Sequence, residues 1–128
     1  MAKKRLILIV DSDAFLAGIY ARRFELGSWN VRVAETDAEA RKILTRSTPS
    51  AVIVDVETVP RGMGFVRELR SHPRARLAAI AVLTKLGDRA AIAEAKKSGA
   101  DAYLLKGHFV PTEVRAKIER LVAAKNGE

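Results

Sequence analysis

The sequence contains no cysteine, few aromatic residues and no long apolar run, and each shortage narrows the range of functions. Without cysteine the chain forms no disulfide and offers no thiolate ligand to a metal. No apolar run approaches the roughly 20 residues that a membrane-spanning helix needs. The five apolar residues after the basic N-terminus are too few for a signal peptide. We therefore expect a cytoplasmic protein with no membrane partner.

The charge of the chain is unbalanced, with a formal net charge of +8. Residues 65–128 hold thirteen basic and seven acidic residues, so most of the excess lies in the second half. A basic surface can attract nucleic acid, anionic lipid or an acidic protein. No basic run is dense, however, and aromatic residues make up only 5% of the chain. We therefore favour a well-solvated surface and do not expect nucleic acid as the partner.

Short apolar runs alternate with helical patterns along all 128 residues, a length typical of one domain. The alternation predicts an α/β fold, a five-stranded parallel sheet in a doubly wound, flavodoxin-like three-layer sandwich. Strands are predicted at about 5–10, 29–34, 51–55, 79–84 and 101–105. Helices are predicted at about 14–26, from Thr36 to about Arg46, after Gly64 to about Ser71, from Asp88 to Ser98, and from Pro111 onward.

Several residues carry local signals for these helices. Asp13 is placed to cap the first helix, and residues 36–39 have the spacing of a capping box for the second. We interpret Phe15 and Trp29 as packing residues at the two ends of the first helix. One face of that helix is predicted to be buried through Leu16, Ile19, Tyr20 and Phe24.

Polar residues follow four of the five predicted strands. They are Asp11, Ser12 and Asp13 after the first, Asp55 after the third, Thr84 after the fourth and Lys106 after the fifth. The carboxyl ends of parallel strands meet at one edge of a sheet, where the sites of open α/β sheets lie. We therefore expect two carboxylates, a hydroxyl and an ammonium to share one shallow pocket.

The acidic end of the first strand argues against direct phosphate binding, because a phosphate-binding loop there is usually rich in glycine, serine or threonine. Asp11 and Asp55 would instead suit a hard divalent cation, most plausibly Mg2+. With that charge screened, Asp55 could attack phosphorus and form an acyl phosphate. Thr84 and Lys106 could then bind phosphoryl oxygens. The alternative for Lys106 is a resting ion pair that merely neutralises the two carboxylates.

These residues together resemble the receiver domain of two-component response regulators, the CheY-like family. The resemblance rests on Asp11, Asp55 and Thr84 after their strands and on the stretch from Gly99 to Lys106. It covers nearly the whole chain, and we predict a receiver domain over residues 1–125 followed by a short tail, 126–128. The family's fold is the one that the alternating pattern predicts.

The resemblance implies a function and a set of partners. Asp55 would be phosphorylated by a sensor histidine kinase or a phosphotransfer protein, and Thr84 and Tyr103 would then shift as the switch. The face formed by helix 4, strand 5 and helix 5 would bind a downstream protein or a second copy of the chain, with Tyr103, Arg115 and Lys117 near the contact. Any enzymatic activity would be limited to self-phosphorylation and slow self-dephosphorylation. Asp11, Asp55 and the backbone carbonyl of Glu57 would hold Mg2+.

The sequence departs from the family pattern near this site. Ser12 stands where the family has a second acidic residue, and Asp13 is occupied as a helix cap. Lys85 follows the threonine, where the family has alanine or glycine, and Pro60 comes one residue late after Asp55. We therefore expect weak Mg2+ binding and keep a phosphorylation-independent pseudo-receiver, a protein-interaction module, as the alternative. Glu57, two residues after Asp55, could point at the pocket rim and tune access, but a solvated loop side chain is the more common arrangement.

Overall fold

The computed structural model describes residues 4–85, 87–107 and 110–127, and strands and helices alternate strictly along them. All neighbouring strands are parallel, in the order β2-β1-β3-β4-β5. The strands are β1 (Leu6–Val10), β2 (Asn30–Ala34), β3 (Ala51–Asp55), β4 (Ala79–Thr84) and β5 (Ala102–Leu105). The helices are α1 (Ala14–Leu26), α2 (Asp37–Leu44), α3 (Gly62–Ser71), α4 (Arg89–Lys97) and α5 (Pro111–Lys125). The predicted doubly wound, five-stranded fold is confirmed.

The sheet separates two hydrophobic cores. One core joins α1 and α5 to the sheet and includes Ile7 and Ile9. The other joins α2, α3 and α4 to the opposite face and includes Leu8 and Val10. Alternate residues of a strand point to opposite faces, so one strand serves both cores. Central strands β3 and β4 are buried along their whole length, as expected for a parallel sheet covered by helices on both sides.

The buried face of α1 differs in part from the prediction. Tyr20 and Phe24 are buried, and Trp29 packs against Phe24 with ring centroids 5.6 Å apart. Phe15, however, is 80% exposed and Ile19 is 40% exposed, so both were wrongly predicted to pack inside. Buried Ala17 marks the face of α1 that meets the sheet. Phe15 and Ile19 each lie two residues from it, which is about 200° around the helix and therefore on the far side.

Two helix starts also differ from the sequence expectation. Helix α3 begins at Gly62 rather than after Gly64, because Gly62 packs closely on the preceding loop. A Cβ at Gly62 would lie 2.6 Å from the Val56 Cα, so only glycine fits there. At α2, Thr36 accepts the Glu39 N–H at 3.1 Å, but the Glu39 carboxylate accepts the N–H of Glu35 instead of that of Thr36. The capping box is therefore only half formed.

Other boundaries move by one or two residues. Strands β1, β2 and β5 each begin one residue later than predicted, and α2 ends at Leu44. Helix α5 ends at Lys125, with Asn126 as its C-cap, and Glu128 at the end of the predicted tail lies outside the described residues. Within the described part of the chain, no helix has the length and apolar character required to cross a bilayer.

Candidate functional site

The strand ends bring the predicted site residues together at one edge of the sheet. Asp11 follows β1, Asp55 ends β3 and Thr84 ends β4, and all three are buried, with Asp55 0% exposed. Lys106 follows β5, and its N–H donates to the Thr84 carbonyl at 2.8 Å, which continues the sheet by one bond. Parallel pairing in the order β1-β3-β4-β5 thus brings the four residues to the same edge of the sheet.

Both oxygens of the Asp55 carboxylate are held. Oδ1 accepts the N–H of Glu57 at 3.0 Å and that of Thr58 at 3.2 Å, while Oδ2 forms an ion pair with the Lys106 ammonium. Burial alone would lower the pKa of Lys106, but the Asp55 carboxylate more than offsets this and raises it above the usual value. The buried charge on Asp55 is therefore neutralised in the resting protein. The ion pair that the sequence left as an alternative for Lys106 is present.

Asp11 is less completely compensated. Its Oδ1 accepts the Asp13 N–H and the Thr58 hydroxyl, each at 2.9 Å. Its Oδ2 is buried and has no hydrogen-bond partner among the described residues. Burial raises the pKa of Asp11 to about 6; the Asp13 N–H opposes this rise, and the nearby negative charge of Asp55 adds to it. This carboxylate is poised to accept a proton or a cation.

The donor set fits a weakly held Mg2+. A cation between Asp11 and Asp55 would satisfy Asp11 Oδ2 and relieve the repulsion between the two carboxylates. No cluster of three or more acidic, histidine or cysteine side chains suited to a metal occurs among the described residues. The Glu57 carbonyl could serve as a further protein ligand, and water would complete the shell.

Ser12 and Asp13 do not supply the missing carboxylate. Ser12 Oγ lies 2.7 Å from the Glu35 carbonyl and 3.0 Å from the Thr58 carbonyl, so its hydroxyl faces the backbone. Asp13 Oδ1 accepts the Leu16 N–H at 3.1 Å, which is the N-cap bond predicted for α1. Neither side chain adds a negative charge to the pair of Asp11 and Asp55.

Thr58 organises the site and was missed by the sequence reasoning. Its hydroxyl donates to Asp11, accepts the Ser12 N–H at 3.0 Å, and its own N–H reaches Asp55. One residue therefore ties the loop after β3 to the loop after β1. The only sequence signal was a hydroxyl residue in the lengthened loop before Pro60. Such a signal is too common to single out a residue.

Glu57 is exposed at the rim of the site, as expected of a loop residue there, but its carboxylate also accepts two hydrogen bonds from the end of β4. Thr84 Oγ1 donates to Glu57 Oε1 at 2.9 Å, and the Lys85 N–H donates to the same oxygen. Burial opposes ionisation of Glu57, but these two hydrogen bonds prevail and lower its pKa below the usual value. The Lys85 side chain is exposed, so Lys85 enters the site through its backbone. Glu57 thus holds two donors at the pocket mouth.

Tyr103 lies on β5 beside a groove formed with α4 and α5. Its hydroxyl is buried without a partner within hydrogen-bond distance among the described residues, although Thr84 is close enough to oppose the rise in the Tyr103 pKa that burial causes. The groove has a volume of about 300 Å³, and Lys117 also lines it. Arg115, by contrast, donates to the Arg23 carbonyl of α1 at 3.1 Å and points away from Tyr103.

Fold and site together define a doubly wound α/β domain with an acidic site at the carboxyl edge of its sheet, and comparison with known proteins gives its family. Residues 7–119 match the response regulator receiver domain. The chain is 31% identical over 127 residues to a "Probable chemotaxis protein CheY" of Rhizobium etli, and the match covers 97% of each protein. A CheY-like response regulator receiver domain protein from Methanospirillum hungatei shares the fold, with a TM-score of 0.87 at 19% identity over 98% of each chain.

Larger proteins contain a similar domain. The "Probable transcriptional regulator ycf27" of Cyanophora paradoxa is 33% identical over 121 residues, which cover 93% of this chain but 48% of that protein. The chain spans about half the length of such regulators. It belongs to the response regulator receiver domain family. Receiver domains act in two-component signalling with histidine kinases or phosphotransfer proteins and downstream effectors, and they are generally not enzymes.

Proposed function

We propose that this chain accepts a phosphoryl group on Asp55 from a histidine kinase or a phosphotransfer protein and responds by changing what it binds. The observation that carries the proposal is the Asp55 carboxylate, buried at the end of β3 with Lys106 on one oxygen and two backbone N–H groups on the other. The hydrogen bonds fix this carboxylate for nucleophilic attack, and the adjacent ammonium reduces its repulsion of an anionic phosphodonor.

The two Asp55 oxygens have different environments and therefore different roles. Oδ1 keeps its bonds to the N–H groups of Glu57 and Thr58 and becomes the carbonyl oxygen of the acyl phosphate. Oδ2 attacks phosphorus as the phosphorus–nitrogen bond of a phosphohistidine breaks. The electron pair of that bond goes to the imidazole, which takes a proton from water. Mg2+ held by Asp11, Asp55 and the Glu57 carbonyl would offset the negative charge that gathers at phosphorus.

The response begins with two donors near Asp55. Once Oδ2 is bonded to phosphorus, the Lys106 ammonium can pair with a phosphoryl oxygen, and the Thr84 hydroxyl can donate to another. Tyr103 lies next to Thr84 and beside the groove between α4, β5 and α5. A shift of Thr84 would therefore displace Tyr103 and change the shape of this groove. We propose the groove as the output surface toward a downstream protein or a second copy of the chain.

The phosphodonor would approach over α1. Phe15, Ile19 and Leu26 leave exposed apolar surface on this helix, which starts directly after the Asp13 cap and hence close to the pocket. Exposed apolar patches of this kind commonly mark protein contact sites. A helix of a kinase or phosphotransfer protein packed there would bring its histidine near Asp55.

A phosphorylation-independent pseudo-receiver is the second candidate. It is favoured by the carboxylate of Glu57, which already engages Thr84 and the Lys85 N–H in the absence of any phosphoryl group. Ser12, Lys85 and the lengthened loop after Asp55 point the same way. Such a module would bind its partner through the same groove without a phosphorylation cycle.

Intact-mass measurement distinguishes the two candidates. The protein is incubated with acetyl phosphate and Mg2+, alongside Asp55→Asn and the matched control Asp13→Asn, which makes the same change of charge at an exposed cap. A phosphoryl adduct on wild type and D13N but not on D55N supports phosphorylation of Asp55. If wild type forms no adduct under conditions that label another receiver domain, phosphorylation of Asp55 is refuted and the pseudo-receiver is favoured.

A further inference from the structure

Two hydrogen-bond donors converge on a single carboxylate oxygen at the mouth of the pocket. The Thr84 hydroxyl and the Lys85 N–H both donate to Glu57 Oε1. The backbone of Glu57 meanwhile donates to Asp55 Oδ1 at 3.0 Å, so this residue contacts the acceptor carboxylate and the end of β4 together. Converging donors beside a reacting carboxylate form a site for an anionic oxygen.

We propose that the Glu57 carboxylate occupies the place of a phosphoryl oxygen and must leave before a phosphoryl group on Asp55 can use the Thr84 hydroxyl and the Lys85 N–H. This inference rests on the proposed function and adds a regulatory residue to it. Glu57 is a positioning residue that competes with the phosphoryl group for its donors. It sets the rate of phosphoryl acceptance without taking part in the bond changes.

Charge strengthens the competition. Glu57 lies at an exposed position, and a solvated glutamate side chain is ionised at neutral pH. An anion at the pocket mouth repels an incoming phosphodonor, in addition to occupying the donors. Asp55, Asp11 and Glu57 all act on the Lys106 ammonium, so the pocket already holds more negative than positive charge before a phosphoryl group arrives.

The geometry also allows Glu57 to leave. The residue is exposed at the rim, so its carboxylate can rotate into water and regain hydration as the two hydrogen bonds break. The side chain therefore slows phosphoryl acceptance instead of preventing it. It also keeps Thr84 engaged at the pocket mouth in the unphosphorylated protein, next to Tyr103.

The inference is tested by comparing wild type with Glu57→Ala and Glu57→Gln. Each protein is incubated with acetyl phosphate and Mg2+, and the formation of the phosphoryl adduct is followed over time by intact mass. Alanine removes both the charge and the acceptor, whereas glutamine removes the charge and keeps an acceptor oxygen. We expect E57A to form the adduct about tenfold faster than wild type, the factor for about one net hydrogen bond, with E57Q between them. Glu25→Ala, which removes an exposed carboxylate at the opposite end of the sheet, should match wild type. An E57A rate no higher than that of E25A would overturn the inference.

A second measurement separates failure of this inference from failure of the proposed function. If no variant forms an adduct, phosphorylation of Asp55 is refuted. Amide hydrogen exchange then tests separately whether the Glu57 carboxylate accepts the Lys85 N–H. The Lys85 N–H should exchange at least about tenfold faster in E57A than in wild type. The Leu16 N–H, which is held by Asp13, should not change. Equal exchange of the Lys85 N–H in both proteins would refute the contact regardless of phosphorylation.

Discussion

At the scale of single residues, the two buried carboxylates differ in how fully hydrogen bonds and opposite charge stabilise their ionised forms. Asp55 has an ammonium on one oxygen and two N–H groups on the other. Asp11 has two donors on one oxygen and, among the described residues, no hydrogen-bond partner for the second. A buried carboxylate without full compensation destabilises the fold when it is ionised. An ionised Asp11 therefore lowers the stability of the metal-free protein.

Asp11→Asn should stabilise the metal-free protein at pH 7 by about 2–3 kcal/mol, the equivalent of a pKa raised from 3.8 to about 6. The folded state binds more protons than the unfolded state between these values. The wild-type free energy of unfolding should therefore contain a contribution that falls as pH rises from about 4 to about 6, and D11N should lack it. Urea denaturation in the presence of EDTA measures both effects. A D11N protein that is less stable than wild type at pH 7 would contradict this account.

Lys106→Met should cost about 3–5 kcal/mol of stability, because it leaves the Asp55 charge buried and unpaired. Adding Asp55→Asn to it should restore most of the loss, since the charge is then removed as well. Urea denaturation of both single variants and the double variant gives the coupling energy. Additive effects of the two substitutions would show that the ion pair does not neutralise Asp55.

At the scale of elements, the sequence determined which strand ends meet, but not how the loops between them fold. Asp11, Asp55, Thr84 and Lys106 could be placed together because parallel strands share one carboxyl edge. The contacts of Thr58 and Glu57 depend on the conformation of the loop after β3, which no repeating pattern governs. The start of α3 was mispredicted for the same reason. A glycine usually disfavours a helix, but Gly62 is required there because it packs closely on Val56 in this loop.

The two phenylalanines of α1 test which face of this helix is buried. Phe24→Ala should cost about 3–5 kcal/mol, because Phe24 is fully buried and packs on Trp29. Phe15→Ala should change stability by less than about 0.5 kcal/mol, because Phe15 lies largely in solvent. Thermal or urea denaturation measures both. Equal losses for the two variants would show that Phe15 packs at the start of α1, as the sequence predicted.

At the scale of the whole molecule, charge is distributed unevenly between the two ends of the sheet. The carboxyl edge holds Asp11 and Asp55. The amino edge holds a cleft of about 920 Å³ lined by five cationic residues and one acidic residue, Glu25. The cationic residues are Lys4, Arg5, Arg32, Arg46 and Arg74. Only Arg74 of these five comes from residues 65–128, so the cleft is a separate basic surface and does not account for the surplus in the second half of the sequence.

Repulsion within this cleft should make stability depend on salt. Raising NaCl from about 10 mM to 150 mM shortens the screening length from roughly 30 Å to 8 Å and should raise the melting temperature. Arg46→Gln should melt higher than wild type at low salt and respond less to added salt. Arg61→Gln, at an exposed position outside the cleft, is the control with the same change of charge. An R46Q response equal to that of R61Q would show that the cleft contributes no special repulsion.

The central claim, that Asp55 is the phosphoryl acceptor, is tested most directly by mapping the modified residue. After incubation with acetyl phosphate and Mg2+, borohydride reduces an aspartyl phosphate to homoserine, which survives digestion. Trypsin should release Asp55 within residues 47–61. We predict homoserine at position 55 in wild type, and none in D55N or when EDTA replaces Mg2+. Homoserine at another aspartate, or at none while a second receiver domain treated in parallel is labelled, would contradict the account.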